Sequence, residues 1–261
     1  MGIYIVTGGT KGIGEQVVNV LSAKGHEVLN VDVDGGDINA DLGTAEGRAS
    51  AIAEVHKRCP DGLDGLVCNH GIASLPRFKP SYVLAVNYFG AVTVIEGLYD
   101  LLKMKGGNCV VTVSGSIATA KRGKYFVDAL LNNCGDDERI GRLVDAFPLD
   151  EGAGMMYVSS KIALANWVRR VSSSWATRGV NINALAPGAV ATTVMDGSKS
   201  PGDFIRIYPM PVLYGTEDFM DPVVVAQALA FLVLPEAKGI CGEVLFCDAG
   251  AAAIIDPDKP F

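Results

Sequence analysis

Short β-branched runs alternate with longer helical patterns along nearly the whole chain, and no other feature constrains the fold as tightly. Residues 3–7, 27–32, 65–69, 108–114, 181–186 and 243–247 read as strands, several apolar on both faces. Between them, residues 13–24, 45–58, 82–103, 157–177 and 222–234 carry helical spacing. Gly25 is placed to stop the first helix, and Thr44 to cap the second. Strand and helix in strict alternation imply βαβ units, hence a Rossmann-type doubly wound parallel sheet of the α/β class. No linker, repeat or shift in composition interrupts the pattern, so residues 1–261 are expected to form a single domain.

Two segments break the rhythm. Residues 117–156 form an insert between a strand and a helix, with helical signals of their own at 125–133 and 137–147. Residues 193–221 are rich in Gly, Pro and Met and show no clear periodicity. Loops of this length in a compact domain usually cover a site. Both follow the C-terminal ends of strands, where open α/β sheets place their ligands.

Composition narrows the classes. The formal charge of −7 leaves no basic footprint for nucleic acid or an anionic membrane. The longest apolar stretch, residues 223–234, is too short to span a bilayer, and the N-terminus carries no signal-peptide pattern. Six scattered cysteines show neither a C-x-x-C pair nor Cys/His metal spacing, so reduced thiols, a cytoplasmic location and no metal are expected.

The first strand runs directly into Thr7-Gly8-Gly9-Thr10-Lys11-Gly12-Ile13-Gly14 and then a helix. Glycines at 8, 12 and 14 allow a tight turn and close backbone approach to a pyrophosphate, with the free N–H groups of the helix behind them. Asp32 ends the second strand, where a carboxylate can accept bonds from an adenosine ribose. Further along, Tyr157 and Lys161 stand four apart, on one face of a helix. Ser116 lies just past the fifth strand signal, and Ser114, nearer the strand, is its rival.

Together these motifs resemble the short-chain dehydrogenase/reductases. The T-G-x-x-x-G-x-G turn, the Tyr157-Val-Ser-Ser-Lys161 pair and Ser116-Ile-Ala occur in family order. So do Asp41-Leu42, Asn87 in Val-Asn-Tyr-Phe-Gly, and Pro187-Gly188-Ala-Val190-Ala-Thr192. Residues 41–48 and 86–91, with the long insert before Tyr157, look like the bacterial 3α-hydroxysteroid dehydrogenase/carbonyl reductases. The resemblance implies reversible hydride transfer between a secondary alcohol and a nicotinamide cofactor. It implies Asn87, Ser116, Tyr157 and Lys161 as catalytic residues. It places the cofactor on Gly8, Thr10, Lys11, Gly12, Ile13, Gly14, Asp32, Asp41, Leu42, Asn69, His70, Gly71, Tyr157, Lys161, Pro187, Gly188, Val190 and Thr192.

The roles follow from chemistry. A free tyrosine, with a pKa of about 10, is a poor base at neutral pH, and the Lys161 ammonium is expected to favour its phenolate. Ser116 is expected to hydrogen-bond the substrate oxygen, and Thr192 with the Val190 backbone to fix the carboxamide. Lys11 would attract the 2′-phosphate of NADP, but Asp32 would repel it at close range, so NAD is expected over NADP.

One departure stands beside the ribose position. The family's N-N-A-G reads Cys68-Asn69-His70-Gly71 here, and His70 is either a pH-sensitive cofactor contact or a ring accommodated by a local shift. Met155, Met156, Met195, Phe204, Tyr208, Pro209, Met210 and Leu213 are candidates for the walls of an apolar pocket. A hydroxysteroid, a cyclic terpenoid alcohol and an aromatic alcohol all remain open as substrates. A catalytically silent NAD-binding sensor is the alternative of another class. The insert's amphipathic 137–147 stretch is expected to cover its own subunit and obstruct the family's usual helix bundle, leaving a dimer through residues 223–234 and 243–249.

Overall fold

The structure is a computed structural model that describes residues 1–73, 75, 77–119, 124–132, 137–192 and 219–258. Among these, seven parallel strands form one sheet in the order β3-β2-β1-β4-β5-β6-β7. The strands are β1 (Ile3–Thr7), β2 (Glu27–Asp32), β3 (Ile38–Asn39), β4 (Gly65–Cys68), β5 (Asn108–Thr112), β6 (Asn181–Pro187) and β7 (Val244–Cys247). Helices α1 (Gly12–Ala23) and α2 (Ala45–Arg58) follow the first strands as the spacing predicts, and Thr44 caps α2 by accepting from Gly47 N.

The period-two geometry of each strand divides the core. Ile5, Leu66, Cys68, Cys109, Val111, Ile182 and Ala184 face one side, where they meet residues of α2 and of the helices between β4 and β6. Tyr4, Val6, Val67, Val110 and Leu185 face the other, packed on α1 and on α10 (Pro222–Val233). Burial on both faces explains why these strands read as continuous apolar runs.

The expected helix over residues 82–103 is broken twice. It begins at α3 (Pro80–Leu84), passes through a π turn at Ala85–Gly90, continues as α4 (Ala91–Gly97), and bends 46° into α5 (Tyr99–Lys105). Leu98 leaves helical geometry at the bend. A side chain at Gly97 would press into Ile52 of α2, which lets the helix approach closely before it turns.

The described residues of the insert are largely helical, as their spacing suggests. A single turn, α6 (Ser116–Thr119), is followed by α7 (Lys124–Asn132) and α8 (Asp137–Val144). Ile140 and Val144 of α8 are buried, while Leu143 is exposed. The next helix, α9 (Leu149–Ala176), starts eight residues earlier than the 157–177 pattern indicates, so the insert runs into it without a loop. The last helix, α11 (Ala251–Ile255), was not legible in the spacing; Asp248 caps it by accepting from Ala252 N.

Candidate active site

The C-terminal ends of β1, β4, β5 and β6 converge at one edge of the sheet, and the predicted motifs gather there. Gly8 and Gly12 take positive φ, and a Cβ on Gly14 would lie 1.9 Å from the Gly8 carbonyl oxygen. Only glycine can close this turn over the start of α1. Asn30 holds the turn from below: its Oδ1 accepts from Gly9 N at 2.8 Å and its Nδ2 donates to Thr10 Oγ1. Asp32 accepts from Thr10 N at 3.0 Å and from Val33 N at 2.8 Å, which fixes its carboxylate at the rim of the cleft. Across the opening, Thr192 is the group nearest Gly12.

Pro187 and Gly188 end β6 at the same edge. The Pro187 carbonyl accepts from Gly115 N at 2.7 Å, and Gly188 N donates to Cys247. Val190 bridges Met220 in a short parallel contact; residues 193–218, among them Met195, Phe204, Tyr208, Pro209, Met210 and Leu213, lie outside the described residues. Of the expected pocket residues that are described, Met156 is fully buried in the core and Met155 packs against it.

The reactive side chains come from three separate elements. Lys161 is buried on α9, and its Nζ donates to the Thr112 carbonyl at the end of β5 at 3.0 Å. Asn87 sits buried in the π turn and clamps the chain after β4, accepting from Ile72 N at 2.8 Å and donating to the Ile72 carbonyl. Gly71 lies between them: a Cβ there would be 3.2 Å from Asn87 Oδ1 and 3.3 Å from Lys161 Nζ. The glycine of Cys68-Asn69-His70-Gly71 is therefore the space in which Asn87 and Lys161 approach each other.

Of the two serines, Ser114 is the one that reaches Tyr157, and Ser116, the expected catalytic serine, is bonded to Ser114. Ser114 Oγ accepts from Ser116 N at 3.2 Å and from Ser116 Oγ at 3.0 Å, which occupies its lone pairs. Its own proton is then free for the Tyr157 hydroxyl, and this hydrogen bond pulls the Tyr157 pKa down. Burial has the larger effect and pushes that pKa up. Burial likewise lowers Lys161 to about 8. In the protein alone, desolvation thus outweighs the charge effect that the spacing of Tyr157 and Lys161 leads one to expect.

The His70 ring packs beneath the nucleotide turn. Thr7 Oγ1 accepts from Asn69 N and His70 N, so its hydroxyl proton goes to His70 Nδ1, 2.7 Å away. That leaves the ring proton on Nε2, which is buried against Gly90 of the π turn and within reach of the Val86 backbone. Burial first, then the Lys161 charge, holds the His70 pKa down at about 4, against opposing pulls from the Val86 backbone and, more weakly, Asp32. A neutral ring wedged under the turn replaces the family's small residue, and Gly90 makes the room.

Beyond β3, Asp41 accepts from Gly43 N and from the Tyr82 hydroxyl, and Arg48 Nη1 donates to the Leu42 carbonyl. Asn30, Arg48 and Tyr82 are contributors that the motifs did not single out, and Thr7, which opens the glycine motif, contributes through its hydroxyl. Asn30 and Arg48 carry one retrospective signal, a polar residue on an otherwise inward-facing position.

Comparison with known proteins agrees with this geometry. The short chain dehydrogenase family profile matches residues 3–127, and the enoyl-(acyl carrier protein) reductase profile matches residues 150–252. The chain is 32% identical to a 3-alpha-hydroxysteroid dehydrogenase/carbonyl reductase of Comamonas testosteroni, over 99% of this chain and all of that one. It is 28% identical to a coniferyl-alcohol dehydrogenase of a Pseudomonas strain, covering 95% of this chain and 96% of the relative. The 3-alpha-hydroxysteroid dehydrogenase of Pseudomonas sp. B-0831, solved in complex with NADH, superposes with a TM-score of 0.86 at 34% identity, over 99% of this chain and 100% of that one.

Proposed function

The chain belongs to the short-chain dehydrogenase/reductase family, and from that premise we propose that it is an NAD-dependent oxidoreductase interconverting a secondary alcohol and a ketone on a bulky apolar, hydroxysteroid-like substrate. The observation that carries the reading is the meeting of Tyr157, Lys161, Asn87 and the serine pair at the strand ends beside the glycine turn. The cradle fits a dinucleotide: a side chain at Gly8 or Gly14 would collide with the His70 backbone or the Gly8 carbonyl and prevent the tight turn, one at Gly12 would project across the opening toward Thr192, and the uncapped N–H groups at the start of α1 are available to an anion. Asp32 is placed to accept from the adenosine ribose, Asp41 and Leu42 to contact the adenine, and Asn69, His70 and Gly71 to line the ribose side. Pro187, Gly188, Val190 and Thr192 would face the nicotinamide.

When bound, the nicotinamide supplies or accepts the hydride. Tyr157 takes the hydroxyl proton in oxidation and returns it in reduction. Ser116 would turn its hydroxyl proton from Ser114 to the substrate oxygen, and Ser114 holds Tyr157 while steadying its phenolate. Lys161 is placed to bind the nicotinamide ribose, and its positive charge favours the phenolate against the opposing effect of burial. Asn87 fixes the Ile72 backbone that borders this site.

Asp32 supports NAD over NADP, because a carboxylate at contact with a 2′-phosphate repels it by several kcal/mol at an effective dielectric of about 20. The reading extends to a cytoplasmic, single-domain protein with no nucleic-acid or membrane partner. The dimer is supported by Phe231 on α10 and Leu245 on β7, both partly exposed, and by the way α8 packs on its own chain. No single helix among the described residues is long and apolar enough to cross a membrane. The test is NADH formation, followed by absorbance, over hydroxysteroids, cyclic terpenoid alcohols and aromatic alcohols with NAD and with NADP. Turnover of a hydroxysteroid with NAD above NADP is the expected result. Dinucleotide binding without turnover of any alcohol would favour a silent sensor.

A further inference from the structure

Helix α8 is attached to the rest of the chain at both ends, and each attachment leads to the same short segment. At its first residue, Asp137 pairs with Arg48 of α2, whose guanidinium is almost wholly buried. The same guanidinium donates to the Leu42 carbonyl at 3.4 Å. Just past its last residue, Asp145 accepts from Ser81 N at 2.9 Å and from Ser81 Oγ at 2.8 Å. The neighbouring residue on α3, Tyr82, donates its hydroxyl to Asp41, at 3.2 Å from both carboxylate oxygens. Between these ends, Ile140 and Val144 are buried, and a Cβ on Gly141 would lie 3.3 Å from the Ser81 side chain, so α8 rests closely on α3.

We infer that the insert is a strut for the adenine-binding segment Asp41–Leu42–Gly43, and that Asp137 and Asp145 are positioning residues for the cofactor. This rests on the proposed dinucleotide reading of Asp41 and Leu42. The physical reason is that Asp41–Gly43 is held from two sides by groups that are themselves held by α8. Arg48 fixes the Leu42 carbonyl, and a buried guanidinium keeps its place only while a carboxylate neutralises it. Tyr82 fixes the Asp41 carboxylate and also closes over Gly43, where a Cβ would lie 2.7 Å from its ring. Asp137 of the insert lies 89 residues from Arg48 in sequence, so the insert serves the far half of the cleft as well as covering the helix that carries Tyr157.

Calorimetric titration of the full chain separates the two halves of the cofactor. The probes are ADP for the adenine side and reduced nicotinamide mononucleotide for the other. Asp137→Asn and Asp145→Ala are each expected to weaken ADP binding about tenfold, within the range of coupling between sites, and to leave the mononucleotide unchanged. Ser81→Ala should reproduce Asp145→Ala, and the two together should cost no more than one, because they remove the same contact. Asp145→Ala and Ser81→Ala alter an exposed contact and serve as the test if loss of the Arg48 partner prevents folding. Unchanged ADP affinity in these variants, or equal weakening of both probes, overturns the inference. Failure of the wild type to bind ADP or NADH overturns the dinucleotide reading itself.

Discussion

The nucleotide turn and the reactive cluster lie side by side at the same sheet edge, yet they are built from different materials. The turn is backbone: Gly8, Gly12 and Gly14 remove side chains so that N–H groups can face the cleft, and Asn30 and Asp32 brace it through main-chain donors. The cluster is side chain: Tyr157, Lys161, Asn87 and the serines are brought from α9, the π turn and the end of β5, and burial shifts the titration of two of them. A backbone-built site tolerates water because its dipoles are fixed by the chain. A site built from ionisable side chains gains strength from water exclusion and carries the cost of desolvating each charge.

The sharpest way to break this contrast is to remove the ionisable oxygen while keeping the ring. Tyr157→Phe is expected to lower kcat by at least about 10³ and to leave NADH affinity, measured by fluorescence titration, within twofold. Retention of a tenth of wild-type turnover would remove Tyr157 from the acid/base role, and a parallel loss of NADH binding would show that the two regions are one.

A smaller effect distinguishes the two serines. Ser116→Ala is expected to lower kcat by roughly 10²–10³, as for the loss of one oxyanion-side donor. Ser114→Ala should cost less in rate at high pH but move the apparent pKa of the oxidation profile upward, because the hydrogen bond that lowers Tyr157 is gone. If Ser114→Ala costs more than Ser116→Ala at every pH, with no shift of the profile, Ser114 is the substrate-facing residue.

The same contrast explains what the sequence made legible. Glycine spacing reports backbone geometry directly, so the turn, β1 and the start of α1 follow from residues 3–14 alone. The i, i+4 spacing of Tyr157 and Lys161 likewise reports one helix face. What pairwise spacing cannot carry is distance between elements: Arg48 and Asp137, Thr112 and Lys161, Asn87 and Ile72 meet only because the sheet orders their elements. Local propensity also misses breaks imposed by packing. Residues 82–103 are helical throughout in pattern, but close packing at Gly97 precedes the bend at Leu98, and the π turn lies against His70. The start of α9 at Leu149 is marked by Pro148 and by the acids Asp150 and Glu151, but Gly152 and Gly154 lower the helical propensity ahead of Tyr157 and mask its continuity.

His70 sits on the seam between the two regions, bonded to Thr7 below the turn and pressed against Gly90 of the segment that carries Asn87. Its ring gives the smallest effect, one read in stability instead of rate. Burial lowers its pKa from 6.5 to about 4 in the folded chain. Because the folded state resists protonation, the unfolded state binds more protons between these values, and stability rises with pH across that window. The contribution is complete above about pH 6.5 and fades toward pH 4. At pH 5 it amounts to about 2 kcal/mol relative to pH 7.5, by the usual 1.36 kcal/mol per pKa unit. Carboxylates titrate nearby, so the comparison must be with a variant. His70→Ala removes the titrating ring and leaves the Thr7 hydroxyl without its acceptor, so it should be less stable at pH 7.5. Its further loss on going to pH 5 should nevertheless be smaller than that of the wild type by about 2 kcal/mol. Urea unfolding of both proteins at the two pH values measures the difference. Parallel losses would mean that the ring protonates without resistance in the fold, and that the seam between turn and cluster is open to water after all.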